Sequence, residues 1–281
     1  MKKVFCLIFI FLCVRCSINA NSVIADSLNN SGNFYEAAIG YDYIIYSGTD
    51  ISEINEMRLK KSECYKHLSL FKKAAAEMDK VNYAMITDSL FSKYHYQATL
   101  CSYLSGDFNS SLFHTDQIIL NSPDKKIYPV VYLIRALCFN NLYLWNQAKE
   151  AAMLYCDLNF PPKESVILKK SIDSIYNPKR TPKIKTENRL KYFKLIPGFG
   201  QAYCGYYKEG ALNFLLSALA LTAGSIEFYY HFYITGYCIA VIPINKFYFG
   251  SHNRAELLLN KHNYYEVLRF NEKVKSILIK Y

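Results

Sequence analysis

Apolar side chains return at intervals of three and four through Phe34-Tyr35-Glu36-Ala37-Ala38-Ile39-Gly40-Tyr41, the spacing of one face of an α-helix rather than of a strand. The pattern comes back at a fixed interval, since Phe34, Phe71, Phe108 and Trp145 lie 37 residues apart. Three positions after each aromatic stands a small residue, Ala37, Ala74, Ser111 and Ala148, and nine positions before it another, Ala25, Ser62, Thr99 and Ala136. Gly32 and Gly106 come two before the aromatic in the first and third units, where a chain can turn between two helices. Each unit therefore predicts helix, turn, helix. Breaks follow at Ser47-Gly48-Thr49-Asp50, near Thr87-Asp88-Ser89, at Asn121-Ser122-Pro123-Asp124 and at Asn159-Phe160-Pro161-Pro162. Repetition at this interval means a stack of similar units over residues 21–160.

Beyond residue 160 the phase stops. Residues 161–194 carry ten Lys/Arg against three Asp/Glu, interrupted by Pro178 and Pro182, and read as a basic linker. Within it Ser165 to Tyr176 predicts a short amphipathic helix through Val166, Ile167, Ile172 and Ile175, placed to cap the last repeat. A turn-rich segment then opens an apolar hairpin over residues 195–250. Its first helix spans 210–229, with Asn213 and Glu227 as polar interruptions, and its second spans 232–249, kinked at Pro243. From 251 to 281 the chain reads as polar, amphipathic helix with apolar returns at Leu257, Leu258, Tyr264, Tyr265, Leu268, Val274, Ile277 and Leu278. The expected fold class is all-α: a repeat solenoid, a hydrophobic helical hairpin and a C-terminal amphipathic helix.

Residues 1–20 change the setting of everything that follows. Lys2 and Lys3, an apolar run from Val4 to Val14 and small Ala20 have the layout of a cleaved secretory signal, with an uncleaved anchor as the alternative. The run is shorter than the roughly 20 residues that span a bilayer, and Arg15 argues against a lipoprotein site at Cys13 or Cys16. Charge is unevenly divided: residues 21–160 hold 12 basic and 15 acidic side chains, residues 161–281 hold 18 and 8. The basic half points to an anionic lipid surface or a solvated linker, and without a basic-aromatic recognition motif it does not point to nucleic acid. An exported chain with six remaining cysteines suggests disulfides, yet Cys64, Cys101 and Cys138 are themselves 37 residues apart. They occupy one equivalent site in neighbouring helices, which pack about 8 to 10 Å apart, beyond bridging range. They are expected as small core residues. Cys156, Cys204 and Cys238 have no ligand spacing.

On these residues the segment 21–160 resembles four tetratricopeptide-type repeats, a family with small residues in the first helix, an aromatic opening the second, Ala three later and often Pro at the end. Pro123 and Pro161 match in two units, and the departure is a period of 37 rather than 34. The resemblance implies a concave groove, lined by the first helices, that receives a protein or peptide partner. Carried over, it places Glu63, Lys66, Tyr96, Tyr103, Asn140 and Asn141 in that groove. The string Pro197-Gly198-Phe199-Gly200-Gln201-Ala202-Tyr203-Cys204-Gly205, with Gly210 after it, resembles the opening of small bacterial two-helix membrane modules. It implies a membrane location, with Pro197, Gly198, Gly200, Gln201, Tyr203, Gly205 and Gly210 as its signature. A buried soluble hairpin is the other reading of the apolar stretch.

No catalytic constellation is written in the sequence. HExxH, GxSxG, GxGxxG and GK[ST] are all missing, and His252, Glu256 and His262 form the only loose cluster, which reads as a solvated face. No enzyme activity, metal or cofactor is expected. The reading is a membrane-anchored, non-enzymatic scaffold in the bacterial cell envelope; its rival is an oligomeric membrane component of transport or protein insertion, with the repeats as docking arm. The signal expects the repeats outside the cytoplasm, whereas Lys/Arg at the repeat side of both hairpin ends would keep them inside.

Overall fold

Two residues before each repeat aromatic the backbone turns left-handed. Gly32, Ser69, Gly106 and Tyr143 have φ of 83, 58, 88 and 63°. The following residue's N–H then reaches back five residues: Asn33 N to Leu28 O, Leu70 N to Tyr65 O, Asp107 N to Ser102 O and Leu144 N to Phe139 O, at 2.8–2.9 Å. This arrangement closes one helix and frees the chain to start the next. The next helix starts on the aromatic itself, at Phe34, Phe71, Phe108 and Trp145. Glycine takes a positive φ without cost, while Ser69 and Tyr143 do so against their Cβ atoms.

The computed structural model describes residues 22–121 and 128–279. The signal expected at residues 1–20 and the break expected at Ser122-Pro123-Asp124 lie outside those residues. The described chain is all-α, and it divides at Asp173/Ser174 into two units.

In the first unit the helices are α1 (22–30), α2 (Phe34–Ser47), α3 (Ile51–His67), α4 (Phe71–Met78), α5 (Asp88–Ser105), α6 (Phe108–Asn121), α7 (Pro129–Asn141), α8 (Trp145–Asn159) and α9 (Pro162–Ile175, whose last two residues fall past the division). Helices adjacent in the chain pack in sequence, and α3 also meets α5, as α5 meets α7. The eight small residues nine before and three after each aromatic are all buried. The members of each such pair lie on the two helices that flank one turn and face each other across it; Ser111 Oγ donates to the Thr99 carbonyl at 3.0 Å. Cys64, Cys101 and Cys138 are free and fully buried. Each reaches the preceding unit, as Cys138 Sγ does to Ser111 Oγ at 3.4 Å. Burial pushes these thiols up, to about 11 for Cys64 and Cys101 and about 12 for Cys138. The aromatics are only partly buried: at the first position of a helix they cover the hairpin end, as Phe34 does by stacking on His67 at 4.4 Å.

Two expectations shift in this unit. α4 stops at Met78, and residues 79–87 bridge to α5 through a 3-10 turn at Tyr83–Met85. Asn55 clamps that bridge, its side chain bonding the Asn82 N–H at 2.9 Å and the Asn82 carbonyl at 3.0 Å. In α9 the buried stripe is Ser165, Leu168 and Ile172, whereas Val166 and Ile167 face outward. The helix is held to α8 by Asp157, which accepts from Ser165 Oγ at 2.9 Å and pairs with Lys169.

The second unit contains α10 (Glu187–Phe193), α11 (Phe199–Tyr203), α12 (Tyr207–Tyr229), α13 (Tyr233–Gly236) and α14 (Ile242–Leu278). A π-helical turn, Tyr237–Val241, joins α13 to α14. Pro243 has no N–H to offer the preceding turn, and the wider π turn just before it absorbs that loss. The second hairpin helix therefore does not end at Gly250; it continues without a break into the tail. Along the tail the buried face is Leu258, Leu259, Val267, Phe270, Val274 and Leu278, while Leu257, Tyr264, Tyr265 and Leu268 are exposed. Residues 183–186 are not a free linker either. Asn263 on α14 bonds both the N–H and the carbonyl of Lys185, at 3.0 and 2.9 Å, the same clamp as Asn55 makes.

The left-handed turn recurs here at Gly205 and His231, with φ of 92 and 64°. Aromatic Tyr207 and Tyr233 open the next helices, and the positions nine before and three after them are Gly198/Gly210 and Gly224/Gly236. One corner is thus used six times, outside the 37-residue phase as well as in it.

Because Ser69 is exposed and has no bond to lose, Ser69→Gly should stabilise the chain by a few tenths to about 1 kcal/mol through relief of the left-handed strain. Gly106→Ala, which meets no neighbour within 4 Å and so feels only the backbone cost, should destabilise it by about as much. Urea midpoints of the two variants should move in opposite directions.

Candidate functional site

The expected groove residues sit on α3 (Glu63, Lys66), α5 (Tyr96, Tyr103) and α7 (Asn140, Asn141). Glu63, Lys66, Tyr96 and Tyr103 are partly exposed. Lys66 Nζ donates to Gln97 Oε1 at 2.9 Å and Gln97 Nε2 to Ser62 Oγ at 3.3 Å, which ties α3 to α5. Tyr96 stacks on Tyr128, ring centroids 5.2 Å apart, so part of its surface is already used. Asn140 departs from the expectation: it is fully buried, and its side chain is not offered to a ligand. Asn141 is spent locally, its amide donating to the Leu137 carbonyl at 2.8 Å. What this face presents is Glu63, Lys66, Tyr96 and Tyr103.

Beneath the helix faces lie polar groups that sequence reading missed. Glu77 on α4 is buried and is met by Lys80 at 2.8 Å and by Arg58 and Lys61 at 3.2 Å. Burial alone would raise its carboxyl, but Lys80 and Lys61 outweigh that and hold it below the usual range. Lys61, equally buried, also pairs with Asp42 at 2.8 Å. His95 and His114, on the paired helices α5 and α6, are buried with their Nδ1 atoms 2.9 Å apart. Tyr83 stacks on His95 at 4.4 Å and Phe91 and Phe113 close the pocket. Their positions on the two helices that flank the Gly106 turn were the only signal in the sequence. Among the described residues no three His, Cys, Asp or Glu side chains gather in one place.

In the second unit the glycine-rich motif assembles where α11, α12 and α14 meet. A Cβ on Gly198 would stand 2.1 Å from the Gly210 carbonyl, one on Gly210 would stand 2.5 Å from that of Gly198, and one on Gly200 would stand 2.8 Å from Ala255 Cβ. Gln201 is buried at the centre. The Gly198 N–H donates to Ser251 Oγ at 3.1 Å, and Ser251 Oγ donates to Gln201 Oε1 at 3.0 Å. Tyr203 stacks on Phe193 at 4.7 Å under the Lys185 ammonium, which donates to its carbonyl. Gly205 makes the left-handed turn, and Pro197 is partly buried at the edge. These residues hold helices together; they present no nucleophile or base. His252, Glu256 and His262 are not gathered: His252 Nδ1 lies 3.0 Å from the Tyr248 carbonyl, while Glu256 pairs with Lys194.

Past the motif the hairpin is inverted relative to an aqueous protein. Its buried positions are Gly210, Ser217, Gly224, Gly236 and Ala240, while Leu215, Leu219, Ile226, Ile234 and Ile242 stand exposed. Among the described residues one helix, Tyr207–Tyr229, is long and apolar enough to cross a membrane, by length and composition. Comparison with protein families, curated proteins and solved structures finds no match to this chain.

Burial, reinforced at His95 by His114, pulls both imidazoles down from 6.5 to about 4. They are neutral in the folded protein and protonate more readily once unfolded. Their contribution is therefore complete above about pH 6.5 and lost as pH falls toward 4, with a slope approaching roughly two protons. Unfolding midpoints across that range should show the decline, and a His95→Leu/His114→Leu variant should flatten it. Separately, Gly198→Ala should lower the unfolding midpoint of the chain, because neither its φ of 89° nor its contact with Gly210 admits a Cβ.

Proposed function

We propose that this chain is a non-enzymatic, membrane-anchored scaffold of the bacterial cell envelope, a tetratricopeptide-like arm that holds a protein partner beside the bilayer. The observation that carries the reading is the inverted hairpin. Apolar side chains left exposed in water favour burial by about 25 cal/mol per Å², and α12 with its partner helix buries glycine and alanine while turning leucine, isoleucine and aromatics outward. Small residues between close helices and large ones outside is the arrangement lipid selects. Tyr206, Tyr207, Tyr229 and Tyr230 lie at the two ends of α12, where amphipathic rings favour the interface. The arm contributes a partly exposed face on α3 and α5 in which Tyr96 and Tyr103 offer an apolar body with a polar edge. The basic residues of 161–194 would lie against anionic headgroups. The signal at residues 1–20 supports export, with the arm on the outer side of the inner membrane.

Two measurements test this. The full chain should sediment with membranes after carbonate washing and be released by detergent, and deletion of 207–249 should move it to the soluble fraction; the arm should be digested by protease added to intact spheroplasts. Photo-crosslinkers at Tyr96 and Tyr103 should give one discrete adduct in cells, whereas a probe at exposed Lys72 on α4 should not. A full chain that stays soluble, or equal crosslinking at all three positions, would refute the respective half of the proposal.

A further inference from the structure

Every glycine of the second unit but one is demanded by its surroundings. Gly198, Gly200, Gly210, Gly224 and Gly236 each have an atom within 3 Å of where a Cβ would stand, and Gly205 has a left-handed φ. Gly250 has neither: it lies inside α14 with nothing within 4 Å of the missing Cβ. Glycine weakens a helix relative to alanine, so packing gives no reason for it there. Gly250 lines a cavity of about 370 Å³ between α12 and α14, and the space beside it is open.

The cavity is amphipathic along its length. Leu212, Leu216 and Phe247 supply apolar walls, and Glu209, Arg254 and Lys246 supply charge. Arg254 gives its Nε and Nη2 to the Glu209 carboxylate, at 2.7 and 3.1 Å, and so retains guanidinium N–H groups for a second acceptor. Lys246, exposed within the apolar part of the hairpin, has no carboxylate partner among the described residues. An ionisable side chain at membrane depth points to a functional site, and a cation there suits an anionic partner. Two cations against one carboxylate leave the cavity net positive.

Resting on the reading of this hairpin as membrane-embedded, we propose that the Gly250 cavity binds one anionic phospholipid, its phosphate held between Lys246 and Arg254 and its acyl chain lying along Leu212, Leu216 and Phe247. The apolar wall selects a lipid over a free anion, and the net positive charge selects an anionic head over a zwitterionic one.

The test uses the full chain in detergent and compares its thermal midpoint with phosphatidylglycerol, with phosphatidylcholine of the same acyl chains and with inorganic phosphate. Phosphatidylglycerol should raise the midpoint and the other two should leave it unchanged. Lys246→Gln should cut the shift to half or less. Gly250→Leu, which fills open space on a helical backbone, should abolish the shift while leaving the lipid-free midpoint equal or higher. An undiminished shift in Gly250→Leu, an equal shift with inorganic phosphate, or dissociation of a dimer by Gly250→Leu would overturn the site; the last would make a second copy the occupant. A chain soluble without detergent would refute the membrane reading and the site together, whereas a carbonate-resistant chain with a lipid shift insensitive to Gly250→Leu would refute the site alone.

Discussion

Two helices joined by a three-residue turn can approach only as closely as the side chains that face each other on either side of that turn permit, and the rest of this structure depends on that limit. The corner closes with a left-handed residue and a backbone bond that reaches back five residues. The facing positions hold alanine, serine or threonine four times and paired glycines twice. An aromatic opens the outgoing helix in all six cases. Larger residues at the facing positions would push the helices apart and take the buried cysteines and the sequential packing with them.

The six corners differ in how tightly they close, and the difference follows what surrounds them. In the first unit Ser111 still fits with its hydroxyl on the Thr99 carbonyl. At Gly198/Gly210 the backbones are close enough that a Cβ on either glycine would overlap the other's carbonyl, while a Cβ on Gly224 would stand 2.2 Å from Ala240 Cβ and one on Gly236 2.9 Å from the Phe228 ring. In the lipid setting proposed for this hairpin, a helix pair would gain nothing from burying its large apolar side chains between its own helices, and contact at short range between backbones would supply the cohesion. The glycine-rich string after Leu195 is then the same corner drawn tighter, stitched by Ser251 and Gln201.

Polar groups are buried in both units without being stranded. No buried side-chain nitrogen or oxygen among the described residues lacks a partner. Asn55 and Asn263 each use one side chain to satisfy both backbone groups of an irregular residue, Asn82 and Lys185. This is how a loop and a basic segment that look free in the sequence are fastened to helices. Glu77 with its three cations and the His95–His114 pair follow the same logic, since an ion or imidazole left alone there would cost several times what its partners contribute.

The sequence by itself determined the corners. Small side chains and aromatics at fixed offsets are local demands of turn geometry, so Phe34, Phe71, Phe108 and Trp145 located four helix starts, Gly32 and Gly106 two of the turns, and Cys64, Cys101 and Cys138 one equivalent core site. It did not reveal Ser69, Tyr143 or His231 in left-handed conformation, because those residues lack the glycine signature and are held there by the helices on either side. It missed the pairing of His95 with His114, the burial of Asn140 and the outward facing of Val166 and Ile167, since which face of a helix is covered depends on a neighbour and not on the helix. The passage of α14 through Gly250 and the π turn before Pro243 were likewise decided only by the tertiary structure, where the opposing helix fixes which backbone bonds survive and which spaces stay open.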